Sequence, residues 1–127
     1  MRIIQASKIE NGAWCYLQDK IILKKPLVFV FANRYLLENE SVIEEIRGEF
    51  PYDDIVFAST SGEIFDCKVN ENSISIVAIE FEKSTFVVQR ENILDFDKNT
   101  ELLGEKLMNK MPKGNLKHLF VLSEGSY

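Results

Sequence analysis

The strongest pattern in the chain is a run with no polar residue, Leu27-Val28-Phe29-Val30-Phe31-Ala32, set between Pro26 and Asn33. A strand apolar on both faces is expected to be covered on both, as inside a parallel sheet flanked by helices. Over residues 40–49 the period changes. Val42, Ile43, Ile46 and Phe50 fall on one helical stripe, with Glu44, Glu45 and Arg47 off it. Asn39 suits a helix N-cap, and Glu38 and Glu40 suit the positive end of the helix dipole. Pro51 stops the helix. After Asp53-Asp54 a second apolar run, Ile55-Val56-Phe57, predicts a strand over residues 55–59. Strand, helix and strand in this order make a βαβ unit.

The flanking segments are less regular. Ile3-Ile4 opens a short strand. Trp14, Leu17 and Ile21 share a helical face and predict a helix over residues 12–23, entered at Asn11-Gly12 and closed by Lys24, Lys25 and Pro26. Beyond Glu63, residues 64–69, 73–81 and 85–92 read as strands separated by the polar turns Asn70-Glu71-Asn72 and Glu82-Lys83-Ser84. Leu103, Leu107 and Met111 give the buried stripe of a helix over residues 100–111, with Asp97-Lys98-Asn99 as its cap region and Pro112-Lys113-Gly114 as its stop. Residues 118–122 read as a last apolar strand. The expected fold class is α/β: a mixed sheet with parallel βαβ strands plus an antiparallel strand meander, flanked by helices, in a single domain over residues 1–127. Phe29, Phe31, Phe57 and Phe120 are assigned to its core by their places in apolar runs.

Composition narrows the function classes. Apolar residues make up 46% of the 127 positions, enough for an ordinary packed domain and too many for a disordered chain. With 20 acids against 15 bases the net charge is −5, which does not suit a phosphate backbone, so no nucleic-acid partner is expected. The apolar runs are well short of a membrane span and Met1-Arg2-Ile3-Ile4-Gln5 leads into no signal-peptide core. The expectation is a cytoplasmic domain without a membrane partner. Cys15 and Cys67, far apart and outside any CxxC, are expected to be reduced and buried.

Candidate chemistry concentrates in Ser59-Thr60-Ser61-Gly62-Glu63, directly after an apolar strand. Gly62 can adopt φ > 0 and turn the chain sharply, leaving three hydroxyls and backbone N–H groups around a small polar cup. The same residues also suit a plain strand-to-strand turn. Asn33-Arg34 and Ser123-Glu124-Gly125 follow the other two apolar runs. If all three strands are parallel, the three clusters meet at one sheet edge, where open α/β sheets hold ligands. Ser59, Thr60, Ser61, Gly62, Ser123 and Gly125 would then offer hydroxyls and N–H groups, Glu63 would take an ammonium or hydroxyl group, and Arg34 a carboxylate. A hydrolase reading is weaker. Gly-x-Ser-x-Gly, Ser-x-x-Lys and the phosphate-loop pattern are absent. His118 stands at the start of its expected strand, opposite the cluster. One His and two distant Cys make no zinc set, and no metal, cofactor or catalytic residue is assigned. A docking module, with residues 85–92 as an exposed edge strand, is the remaining alternative.

Taken in order, the strand before Asn33, Phe50-Pro51, Ser59-Thr60-Ser61-Gly62-Glu63-Ile64 and the final run ending in Ser123-Glu124-Gly125 resemble the N-terminal FIST domain (F-box and intracellular signal transduction). The resemblance spans about residues 26–125. Glu124 stands where that family often has Asp. The resemblance implies a sensory input domain that binds a small ligand such as an amino acid or its derivative. It also implies output partners such as a histidine kinase, a chemotaxis receptor or a cyclic-dinucleotide enzyme. Members usually continue into a C-terminal FIST half, so a chain ending at Tyr127 is expected to be a cut piece or a short member.

Overall fold

A computed structural model describes residues 1–123. Its elements divide between two units, Met1–Thr85 and Phe86–Tyr127.

The first unit is built on the apolar run read above. It forms β3 (Leu27–Asn33), beginning just after the buried Pro26. Two helices follow. They are α1 (Arg34–Leu37) and α2 (Glu40–Glu49), each started by an asparagine whose side chain accepts a backbone N–H. Asn39 Oδ1 takes the Ser41 amide at 3.1 Å, as its N-cap position predicts. The chain then enters β4 (Ile55–Thr60), parallel to β3. The βαβ unit is therefore present.

Three further strands complete the sheet. β1 (Arg2–Ile9) pairs along its whole length, antiparallel, with β7 (Ser73–Glu80), and β2 (Cys15–Tyr16) covers the outer edge of β1. The sheet order is β2-β1-β7-β3-β4, with β3–β4 parallel and the other pairs antiparallel. β5 (Glu63–Phe65) and β6 (Lys68–Asn70) form a separate two-stranded hairpin. The mixed α/β sheet expected from sequence is borne out.

The core lies on one sheet face. Val28, Val30 and Ala32 of β3, Ile74, Ile76 and Ala78 of β7, and Ile4 and Ala6 of β1 pack with Leu36, Ile46 and Phe50 from the helical side. Alternation is strict along β3. Leu27, Phe29 and Phe31, on the opposite face, are only half-buried. The expectation of a strand covered on both faces is met in full on one face only, because the helices of this unit supply core residues to that face. The large buried aromatic is Phe50, at 1% exposure. Phe57 is half-buried and Phe120 exposed, so neither lies fully in the core.

Residues 12–23 are not helical. Trp14 and Tyr16 pack on Phe50, edge-on at 5.9 Å and stacked at 6.3 Å between ring centroids, while Leu17 and Ile21 are exposed. Two aromatics on one partner outweigh the weak helical spacing, because each ring brings a large apolar area to the core. The run 64–69 is broken at Asp66-Cys67. Asp66 takes φ 56°, a left-handed conformation that Asp tolerates, and this folds one expected strand into the β5–β6 hairpin. Both cysteines are free and exposed, not buried. Cys15 lies on the outermost strand and Cys67 in the hairpin turn.

In the second unit a 3₁₀ turn (Ile93–Phe96) precedes α3 (Thr100–Lys110), capped by Asn99 through a 3.0 Å bond from the Leu102 amide. The stripe Leu103, Leu107 and Met111 is half-buried. Residues 85–92 and 118–122 form no strand, which corrects both expectations. A strand is held by its neighbours, and this unit has no other strand among its described residues. No helix among the described residues is long and apolar enough to cross a membrane.

Candidate functional site

Parallel register fixes what meets at the end of the sheet. Asn33 stands beside Thr60 and Ala32 beside Ser59. β7 runs the opposite way with Ile74 beside Ala32, so its first residue, Ser73, begins at this same edge. Asn33, the Ser59–Gly62 segment and Asn72-Ser73 therefore gather at the C-terminal ends of β3 and β4.

Glu63 organises this edge. It is 2% exposed. Its carboxylate accepts the Thr60 hydroxyl at 2.5 Å, the Ser73 hydroxyl at 2.6 Å and the Ser73 amide at 3.3 Å. Three donors replace the water that burial removes, which is what a buried carboxylate requires. Next to it Asn33 Nδ2 donates to Asn72 Oδ1 at 3.1 Å, while Asn33 Oδ1 accepts the Tyr35 amide at 2.9 Å and starts α1.

The sequence candidates fall as follows. Ser59 and Ser61 are exposed, with Thr60 and Gly62 half-buried between and beside them. No described glycine has positive φ, so the left-handed turn expected at Gly62 does not form, and the left-handed residues nearby are Asp66 and Asn72. A Cβ on Gly62 would stand 3.6 Å from Val69 Cγ1, an ordinary contact. Arg34 is exposed and its Nε donates to Glu38 one turn along at 2.7 Å. Ser123 is exposed in the second unit and ends no strand. Glu124 and Gly125 lie outside the described residues. Within the first unit, the structure thus brings Asn33 and the Ser59–Glu63 segment to one sheet edge.

Sequence reasoning passed over Asn72 and Ser73, read only as turn and strand start. A signal was available. Ser73 heads the long run that must leave the turn toward the core, and a hydroxyl at such a place needs a buried partner.

Chemically the edge offers the exposed hydroxyls of Ser59 and Ser61 and the amides of Asn33 and Asn72, all neutral hydrogen-bonding groups. A separate groove between α1 and α2, lined by Leu37, Glu38, Glu40, Ile43, Glu44 and Arg47, contains none of them.

The polar cluster that shifts pKa values most lies elsewhere. Tyr16 donates its hydroxyl to Glu49, which also accepts Lys20 Nζ at 2.7 Å. Burial, and then the Glu49 carboxylate, push the Tyr16 phenol up to about 12. The Glu49 carboxyl is lowered by its bond from Lys20, and the Lys20 ammonium is raised by the same bond. This cluster ties β2 and the loop after it to the end of α2, a fastening rather than an open site.

No curated protein and no solved structure matches the chain. The family pattern for the FIST N domain, a group of sensory domains in signal transduction, matches residues 26–127 and so takes in β3 to β7, the helices and the whole strand-end cluster; the chain belongs to the FIST N domain family.

Proposed function

We propose that the chain is the N-terminal half of a signalling input module, binding a small polar ligand, such as an amino acid or its derivative, at the C-terminal edge of β3 and β4. The observation that carries this reading is the parallel register that sets Asn33 beside Thr60. Open α/β sheets present ligand-binding groups at such strand ends. Ser59, Ser61, Asn33 and Asn72 would bind through hydroxyls and amides. Arg34, at the start of α1, would receive a carboxylate by exchanging Glu38 for it. Glu63 would act from below, holding Thr60. A downstream histidine kinase or chemotaxis receptor would read the bound state, with a C-terminal FIST half supplying the connection.

A thermal-shift screen with amino acids and small carboxylates tests the reading. A ligand that binds only the folded chain adds about 2.7 kcal/mol at a hundredfold excess over Kd. A hit that weakens in the double variant Ser59→Ala, Ser61→Ala, whose side chains are exposed, supports the site. A hit of unchanged affinity in that variant moves the site elsewhere.

A second reading, a docking module, is favoured by one feature. Ile64 and Val69, cross-strand neighbours in the β5–β6 hairpin, are 71% and 72% exposed. Stable association with an output fragment that is lost on Ile64→Ser, with no response to small molecules, would favour it.

A further inference from the structure

The β5–β6 hairpin is fastened mainly at its base, with β5 lying near β7 and β3, and β6 paired only with β5. It is a sheet of its own, each strand is three residues long, and its outer pair Ile64 and Val69 faces solvent. Of its apolar side chains only Phe65 is half-buried. Residues at positive φ stand in its turn and at its exit, Asp66 at 56° and Asn72 at 51°. Its polar ties to the main sheet begin at Glu63, which grips Thr60 on β4 and Ser73 on β7. The other tie, from Ser75 Oγ to the Ile64 carbonyl, is long at 3.4 Å. By contrast β3 and β7 are held by full ladders and a buried apolar face.

Segments with little buried apolar area open locally, well below the free energy of global unfolding. The geometry points to β5–β6 as a flap at the end of β3 and β4, with the buried Glu63 carboxylate as its latch. In the closed state one carboxylate joins strands β4, β5 and β7. In the open state Glu63 reaches water, the hydroxyls of Thr60 and Ser73 are both released, and the Asn33–Asn72 edge loses its neighbour. Glu63 is thus a positioning residue. A ligand ammonium or hydroxyl arriving at the strand ends would compete with Thr60 and Ser73 for the same oxygens. That coupling rests on the ligand reading above, whereas the flap does not.

Amide hydrogen exchange on the full chain tests the flap without any ligand. In the wild type the amides of the β5–β6 ladder should be protected, and less so than those of β3 and β7. In Glu63→Gln, which keeps the shape and removes the charge, hairpin exchange should rise by about tenfold or more while β3 and β7 stay within about twofold. Ser73→Ala, which keeps Glu63 and removes one donor, should give the same pattern with a smaller rise. Three results would overturn the proposal. They are hairpin amides without protection in the wild type, hairpin rates unchanged in both variants, or one uniform acceleration of hairpin and core together. A ligand screen that finds nothing would count against the sensory reading and leave this exchange pattern intact.

Discussion

The Ser73 hydroxyl donates to the Glu63 carboxylate at 2.6 Å, inside the protein and across ten residues of chain. Both residues are essentially without solvent, at 0% and 2% exposure. Losing one partner of such a pair strands the other. Glu63→Ala should therefore cost about 2–4 kcal/mol, more than an exposed substitution on the same hairpin. Replacing all three partners by apolar groups of similar shape, as in Glu63→Leu with Thr60→Val and Ser73→Ala, should recover part of that loss. Denaturant melts of the single and triple variants check both statements. A triple variant less stable than Glu63→Ala would show that the carboxylate contributes more than its hydrogen bonds.

The Tyr16–Glu49–Lys20 cluster predicts how stability follows pH. The Glu49 carboxyl is lowered in the folded chain, so its contribution is present above the ordinary carboxylate range and is lost as pH falls through its folded value. The Lys20 ammonium and Tyr16 phenol are raised, so their contributions are present below their ordinary values and are lost as pH rises, for Tyr16 through about 12. Melting temperature should hold steady between these limbs and fall on both sides. Glu49→Gln should flatten both limbs. It should also lower the Tyr16 phenol only part of the way toward 10, because burial, the larger cause, remains, as read from the tyrosinate absorbance that disappears when Tyr16→Phe is added to an otherwise matched chain.

Asn39 caps α2 by accepting from the Ser41 amide and, at 2.8 Å, from its hydroxyl. Asn39→Ala should destabilise by about 1 kcal/mol, and Asn39→Asp by little, since aspartate caps equally well. Thermal melts suffice to check this.

Gly62 carries no backbone demand, because its φ is not positive and a Cβ meets only ordinary contacts. Gly62→Ala should be neutral or stabilise by about 0.4–1 kcal/mol through the unfolded state, as measured by denaturant melts. A clear loss of stability would mean that the folded chain needs a glycine here after all.

What could be read from the sequence followed from strong, local signals. The unbroken run ending at Ala32 and the stripe Val42, Ile43, Ile46 and Phe50 each specify their element with little outside help, and both formed. The site cluster was legible to the extent that it rests on β3 and β4, because a βαβ crossover brings two strand ends together. The segment around Trp14 was misread because its conformation depends on Phe50, a partner far along the chain. Residues 64–69 were misread because a single left-handed Asp66 reverses the chain inside an otherwise strand-like run. The place of Ser73 beside Glu63 was passed over because the need for its hydroxyl arises only when Glu63 arrives there. The run 118–122 is apolar enough for a strand and has no ladder among the described residues of its unit.

The pairing of β1 with β7 has a consequence for how the protein is made. The family match begins at residue 26, yet Arg2–Ile9 occupies one whole side of β7, from Arg2 beside Glu80 to Ile9 beside Ser73. The strand of this sheet that is made first must therefore wait for the one made last. During synthesis it is a half-apolar segment, Ile3, Ile4, Ala6 and Ile9 among Arg2, Gln5, Ser7 and Lys8, with no seat, while β7, once made, is an open template until that segment returns. A chain begun at Pro26 would keep every residue of the family pattern and lose this closing step. It should collect in the pellet, whereas the same chain supplied with a separate peptide of residues 1–25 should be partly rescued.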